Sequence, residues 1–293
     1  KGDMVKRCII IANRGAGSFS SAKLESACRS LENAGMEVEQ VFCSDFAAMA
    51  ETAGKVSAPD ASPLVIAAGG DGTINAVLNG LVGNRAACAI LPLGTANVLA
   101  LELGLNSAEK AVERIIAGET RPFTAGLIRG ESRSSRFFLM AGIGLDGFIV
   151  RGVTLARKKS FGKGAYILSA LEHLLRWEGG RLRVITENAD FSCHSLVVCN
   201  AARYGGQFTL SRGASIFSPV LELVAVTGSS RLAHLGLVRE TLLEGRRGAA
   251  GIVRLNAEKI RIEGIKPLQA DGDDWGDSPV DIVAEKEYAR IIV

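Results

Sequence analysis

The sequence predicts two domains: an α/β domain whose parallel sheet lies between helices, followed by a β-rich sandwich. Three observations carry this expectation. The first third of the chain alternates short apolar runs with amphipathic stretches at helical spacing, the pattern of a parallel sheet covered on both faces. Beyond Thr120 the pattern turns to strand-like segments separated by turn residues. The length, 293 residues, suits two cores better than one. The boundary is expected near residue 122, giving domains 1–122 and 123–283. A last strand, about 284–293, is expected to return to the first domain.

Each element has a local reason. Val5 to Ala12 is a continuous apolar run closed by Asn13-Arg14-Gly15 and reads as a buried strand. Ser20 to Ala34 is amphipathic and stops at Gly35, a helix with a glycine end. Met36 to Cys43 is a second strand, and Asp45 to Val56 a second helix with Asp45 as N-cap. Leu64 to Ala68, Thr73 to Val82 and Cys88 to Leu91 read as strand, helix and strand. Asn106 opens another helix to Ala117, with Glu109 completing a capping box. Strands are expected within 121–130, 136–143, 181–188, 191–200, 221–228 and 252–263. Helices are expected over Gly164–Trp177 and His234–Glu244.

Composition narrows the function. Apolar residues make up 47% and charged residues 22%, as in a folded globular chain. The net charge of +3 is too small to argue for nucleic acid, but it suits a phosphorylated ligand or an anionic surface. Six cysteines lie mostly in apolar runs, without C-x-x-C pairs, and read as buried thiols of a reducing compartment. No apolar run is long enough to span a bilayer, and no secretory signal precedes the first strand. A cytoplasmic protein is expected.

Two glycine turns carry the chemistry. Leu64 to Ala68 runs into Gly69-Gly70-Asp71-Gly72-Thr73, and a helix follows. Strand, glycine turn and helix make a phosphate site: glycines admit an oxyanion and supply positive φ, and the N–H groups of the helix start favour negative charge. The turn lacks the Gly-Lys-Ser/Thr of a Walker A loop and the spacing of a dinucleotide fingerprint. Asp71 beside phosphates is repulsive unless a cation intervenes, so it points to Mg²⁺. The rival reading is a tight turn in which Asp71 caps the next helix. A second turn, Pro92-Leu93-Gly94-Thr95-Ala96-Asn97, again follows a strand. In a parallel sheet both turns open at the carboxyl edge, where ligands bind.

The run Gly69 to Asn75, then Asn79-Gly80-Leu81, then Pro92 to Asn97 resembles the diacylglycerol kinase and sphingosine kinase catalytic family, and within it the bacterial lipid kinases. The resemblance extends to Asn13 and Gly17, to Ala141-Gly142-Ile143-Gly144-Leu145-Asp146, and to Ala270-Asp271-Gly272-Asp273. It implies an NAD kinase/phosphofructokinase-like first domain, ATP and Mg²⁺ as cofactors, and a kinase acting on a lipid hydroxyl. The acceptor it implies is diacylglycerol or a related lipid alcohol, met peripherally at the inner face of the membrane. ATP phosphates would lie on Gly69, Gly70, Asp71, Gly72 and Thr73, with Asn13, Arg14, Gly94, Thr95 and Asn97 lining the nucleotide cleft. Asp71 would be the metal ligand, and Asp271, with Asp71, the catalytic pair, Asp271 taking the hydroxyl proton. The alternatives are a non-catalytic nucleotide- or lipid-binding homologue and a kinase of a soluble or sphingoid substrate. A homodimer is left open.

The sequence departs from the family pattern at several places. Val98 and Ala76 stand where acids are common, Asp273 replaces a glutamate, and Arg14 replaces a proline. Phe217 to Glu222 lacks an acidic pair, so a structural Mg²⁺ site is not expected there. Arg151, Arg157, Lys158, Lys159 and Lys163 form a basic cluster suited to phosphates or headgroups, or simply to solvent. The helix Gly164–Trp177 carries an apolar stripe that reads as core. His173, His194 and His234 show no triad or metal pattern.

Overall fold

The computed structural model describes residues 7–15, 19–58, 63–82, 86–152, 180–206, 208–228, 231–242 and 248–293. The chain forms two compact units, Lys1–Thr124 with Glu287–Val293, and Ala125–Lys286.

In the first unit, β1 (Arg7–Ala12), β2 (Glu37–Phe42), β3 (Leu64–Gly69) and β4 (Ala87–Pro92) are all parallel. The spatial order β2-β1-β3-β4 places β1 and β3 at the centre, which is why both are buried along almost their whole length. Between them run α1 (Ser21–Asn33), α2 (Phe46–Ser57) and α3 (Asp71–Gly80), and α4 (Val98–Glu102) and α5 (Ala108–Ala117) follow β4. Ser20 caps α1 by accepting Lys23 N–H, and Asp45 caps α2 by accepting Ala48 N–H at 2.9 Å. The start of α5 differs from expectation. Ser107 is the cap, accepting Lys110 N–H at 3.2 Å, so Asn106 and Glu109 form no capping box. Gly118, at φ 73°, ends this helix in a left-handed turn that favours glycine.

The second unit begins within β5 (Thr120–Arg129) and continues through β6 (Ser134–Phe137), β7 (Met140–Ile143) and α6 (Leu145–Gly152). It then contains β8 (Leu182–Thr186), β9 (Asp190–Cys193), β10 (Ser195–Cys199), β11 (Arg203–Tyr204), β12 (Phe208–Thr209), β13 (Leu221–Val226) and α7 (Arg231–Leu242). Last come β14 (Ile252–Ala257), β15 (Lys259–Glu263), β16 (Pro267–Ala270), β17 (Asp273–Asp277) and β18 (Val280–Ile292). One antiparallel sheet has the order β14-β13-β10-β7-β16-β17. The other layer contains β18-β15-β8-β9 together with β5 and β6. One buried cluster takes side chains from both layers: Ile143, Val198, Leu223 and Leu268 from the first, Phe137, Val184, Ile260 and Ile282 from the second. This is the sandwich the alternation of strand segments predicts.

Two expected strands are each broken into a pair. The run 136–143 pauses at Phe138-Leu139, and 191–200 pauses at His194. The first break exposes backbone N–H groups that serve the site described below. β18 pairs with β15 through residues 280–283, and Arg290 and Ile291 pair in parallel with Ala87 and Cys88 of β4. The Tyr288 hydroxyl reaches the carbonyls of Leu78 and Leu81 at 2.7 and 3.0 Å, and its ring meets Phe123 edge-on. These contacts dock the chain's end in the first unit.

Candidate active site

Register brings the sequence-predicted nucleotide residues to one edge. Ala12 pairs with Ala68, and Gly69 with Pro92, so the turns after β1, β3 and β4 leave the sheet at the same level. Leu93 N–H donates to Gly69 C=O at 3.0 Å, joining the second turn to the first. Within the second turn Asn97 closes on Gly94, accepting its N–H at 3.0 Å and donating to its carbonyl at 2.8 Å. Asn97 holds φ 48°, a left-handed conformation that asparagine tolerates better than most residues. Thr95 lies on the exposed part of that turn. The Asn13 side chain accepts Gly15 N–H at 2.8 Å, and the Arg14 guanidinium lies over the Phe42 ring, 3.8 Å from its centre. Gly17 lies outside the described residues.

The glycines of the first turn serve differently from expectation. Gly70 has φ −92° and ψ −175°, and neither Gly69 nor Gly72 has positive φ. Close approach is the reason instead. A Cβ on Gly69 would press into the Thr73 side chain, and one on Gly94 would collide with the Gly70 Cα. A Cβ on Gly72 would meet nothing within 4 Å, so the space above the start of α3 is open on the protein side. Gly70, the N-cap of α3, offers no side chain to the first-turn N–H groups. An uncapped helix start with open space above it is a cradle for anionic oxygens.

Asp71 opens α3 and turns its carboxylate toward α4, accepting Val98 N–H at 2.7 Å. Burial raises its pKa above the usual carboxylate range, and the N–H groups of Val98, Leu99 and Asn97 pull it back. Val98, where the family often carries an acid, thus supplies the backbone donor that orients Asp71. Ala76 is fully buried in α3.

In the second unit, β16 and β17 form a hairpin whose two turn residues are Asp271 and Gly272, at φ 49° and 91°. Positive φ at both is the type I′ geometry, for which Asp-Gly is a preferred pair. The Asp271 carboxylate accepts three backbone N–H groups from the break between β6 and β7. Oδ2 takes Phe138 at 2.8 Å, and Oδ1 takes Leu139 and Met140 at 2.9 and 3.0 Å. Asp271 N–H donates to Met140 C=O at 3.0 Å. The side chain is thereby fixed in one orientation, which a solvated turn residue would not be.

Other candidates settle into structural partnerships. Arg151 spends its guanidinium on Asp274 and Asp277, at 3.0 and 2.9 Å, and on Gly276 C=O. Arg157, Lys158, Lys159, Lys163, the expected helix Gly164–Trp177 and His173 lie outside the described residues. His234 pairs with Ser195 at 2.5 Å, and Arg181 approaches His194 at 3.3 Å. Burial, with His194 and Lys266 nearby, pushes the His234 pKa down to about 4. Among the described residues no cluster of three His, Cys, Asp or Glu could hold a metal ion by itself. All six cysteines are free, and all but Cys43 are buried.

A buried network beside the hairpin was not among the sequence expectations. Asp146, on α6, accepts the Tyr204 hydroxyl on one oxygen and Gln269 Nε2 on the other. Gln269 Oε1 accepts Gly272 N–H at 2.8 Å. Burial raises the Asp146 pKa, while Tyr204 and Gln269 hold it down. The only advance signal was the Gly-x-Gly-x-Asp spacing at Gly142, Gly144 and Asp146.

The two units define a class of protein. The chain belongs to the bacterial lipid kinase family, phosphotransferases with an alcohol group as acceptor. Residues 7–128 match the diacylglycerol kinase catalytic domain, and residues 140–293 match the YegS C-terminal NAD kinase β-sandwich-like domain. Among relatives, the diacylglycerol kinase of Bacillus subtilis (strain 168) is 27% identical, over 99% of this chain and 97% of its own. The lipid kinase YegS of Escherichia coli (strain K12) is 32% identical over 178 residues, 58% of each chain. A diacylglycerol kinase structure from Bacillus anthracis str. Sterne superposes with TM-score 0.76 at 18% identity, covering 100% of this chain and 98% of that one. An NAD kinase from Archaeoglobus fulgidus in complex with ATP gives TM-score 0.50 at 15% identity, over 98% and 93% of the two chains. These likenesses establish an α/β domain followed by a β-sandwich of the NAD kinase kind.

Proposed function

We propose that the protein transfers the γ-phosphoryl group of ATP to the hydroxyl of a membrane lipid, diacylglycerol or a related lipid alcohol. The uncapped start of α3, with open space above Gly72, is the observation that carries this reading. Phosphate oxygens would meet the first-turn N–H groups there, favoured by the helix dipole. Asn13, Arg14, Gly94, Thr95 and Asn97 border the same edge. Asp71 is the carboxylate at that edge, and Mg²⁺ needs only one or two carboxylates when phosphates complete its shell, so the residues fit the ion. When bound, Mg²⁺ neutralises charge on the transferring phosphate.

Asp271 is the acceptor-side base. Its carboxylate is held by Phe138, Leu139 and Met140 N–H and so is oriented before substrate arrives. It takes the hydroxyl proton as the new oxygen–phosphorus bond forms. A lipid acceptor requires that the enzyme work at a membrane surface. Among the described residues no helix is long and apolar enough to cross one.

The test is an ATP–Mg²⁺ kinase assay against diacylglycerol, phosphatidylglycerol and sphingosine in mixed micelles. Wild-type protein should phosphorylate at least one lipid. Asp271→Ala should lower turnover by roughly a hundredfold to ten-thousandfold, the usual range for a lost general base. ATP affinity by calorimetry should hold, because a base contributes mainly in the transition state. ATP binding without turnover on any lipid would leave a binding homologue or a different acceptor.

A further inference from the structure

The chain of hydrogen bonds from Tyr204 through Asp146 and Gln269 to Gly272 ends on the same two-residue turn that presents Asp271. We propose that Gln269 is a positioning residue for Asp271, with Asp146 setting the orientation of its amide. This inference rests on the reading of Asp271 as the base.

In a two-residue hairpin turn the N–H of the second turn residue has no partner within the turn. Here that group is Gly272 N–H, and Gln269 Oε1 accepts it at 2.8 Å from a buried position. Rotation of the peptide between Asp271 and Gly272 would break this bond. The Asp271 side of the turn is held by its own N–H on Met140 C=O at 3.0 Å. Together the two bonds hold both residues of the turn that carries the seated carboxylate.

A glutamine amide can present either end, because its oxygen and nitrogen are nearly equal in shape. Asp146 removes the ambiguity. An Asp146 oxygen accepts from Gln269 Nε2, which keeps the NH₂ group on its own side and leaves Oε1 for Gly272. Asp146 is pinned in turn by the Tyr204 hydroxyl, and it packs on β7 where Gly142 has no Cβ, since a Cβ there would fall on Oδ2. Gly147 lets α6 lie directly on the Pro267 carbonyl, which brings Asp146 within reach of β16. The glycine and aspartate spacing of the Gly142–Asp146 motif is thus accounted for by a support for the turn rather than by contact with substrate.

The test is a double-mutant cycle. Gln269→Met keeps the volume and removes both hydrogen bonds. With ATP–Mg²⁺ and the best acceptor of the lipid panel, it should lower kcat on the order of tenfold or more, with KM for ATP unchanged. In an Asp271→Ala background the same substitution should cost nothing further, because its effect runs through the absent carboxylate. A loss that multiplies with Asp271→Ala, or wild-type kcat in folded Gln269→Met, overturns the positioning role while leaving the base intact. Full turnover in Asp271→Ala alone overturns the base assignment itself. If Gln269→Met does not fold, Asp146→Asn carries the same cycle, since it frees the glutamine amide to turn. Unfolding of both variants would assign the network to stability and end the proposal.

Discussion

Asp71 and Gly72 are neighbours with opposite demands. The Asp71 carboxylate holds Val98 N–H at 2.7 Å, so it orders the start of α4 whatever else it binds. Asn retains an oxygen that can accept that bond but lacks the charge. Asp71→Asn should therefore melt close to wild type yet lose Mg²⁺-dependent phosphoryl transfer. Near-normal turnover in the variant would confine Asp71 to ordering the start of α4, not the cap of α3 that the sequence also allowed. A Cβ added at Gly72 would meet nothing within 4 Å, so the space there is open. Gly72→Val should fold, because valine has a somewhat higher helix propensity than glycine, and should abolish ATP binding by filling that space. Unchanged ATP affinity by calorimetry would move the phosphates to another part of the fold.

At the scale of elements, α3 owes its position to its last residue as much as to its first. A Cβ on Gly80 would collide with the Ala50 backbone of α2, so the two helices cross at a distance only glycine permits. Gly80→Ala should destabilise the first unit by roughly 1–3 kcal/mol through this overpacking. A denaturation midpoint equal to wild type would show that α2 yields freely. The same helix is held near its end by the Tyr288 hydroxyl on the carbonyls of Leu78 and Leu81. The Asn79-Gly80-Leu81 motif of the resemblance therefore has a packing reason independent of nucleotide. Asn79 adds to it by donating to the Asn75 side-chain oxygen at 2.8 Å.

Across the whole molecule, buried ionisable groups set how stability follows pH. His234 has its pKa pushed down from 6.5 to about 4, chiefly by burial. Between those values the unfolded chain binds a proton that the folded chain refuses. The contribution is present above pH 6.5 and is lost as pH falls toward about 4. A shift of this size corresponds to on the order of 3 kcal/mol. Asp71 and Asp146, whose pKa values burial raises, act in the opposite sense and regain stability on acidification. Comparing wild type with His234→Gln by urea denaturation isolates the histidine: the variant should show the shallower loss across this window. Parallel curves would mean that His234 titrates normally.

Local chemistry made much of this protein legible in its sequence. Apolar runs and helical spacing located β1, β3, β4 and the helices between them, because burial on both faces of a parallel sheet leaves a continuous apolar signature. Asp45 and Gly35 marked helix ends through interactions that span a few residues. The glycine turns were visible for the same reason, although the cause was close packing against Thr73 and Gly94 rather than positive φ. The partners of Asp271 were not legible. Its carboxylate meets Phe138, Leu139 and Met140, more than 130 positions earlier, across a strand break that periodicity reads as continuous. Gln269 gave no signal either, since a buried amide in a strand has no spacing of its own. Its value comes from Asp146 on one side and Gly272 on the other. Residue types and turn chemistry are properties of short segments, and the sequence determined them. Which donors meet which acceptors depends on the pairing of distant strands, and only the tertiary structure decided that.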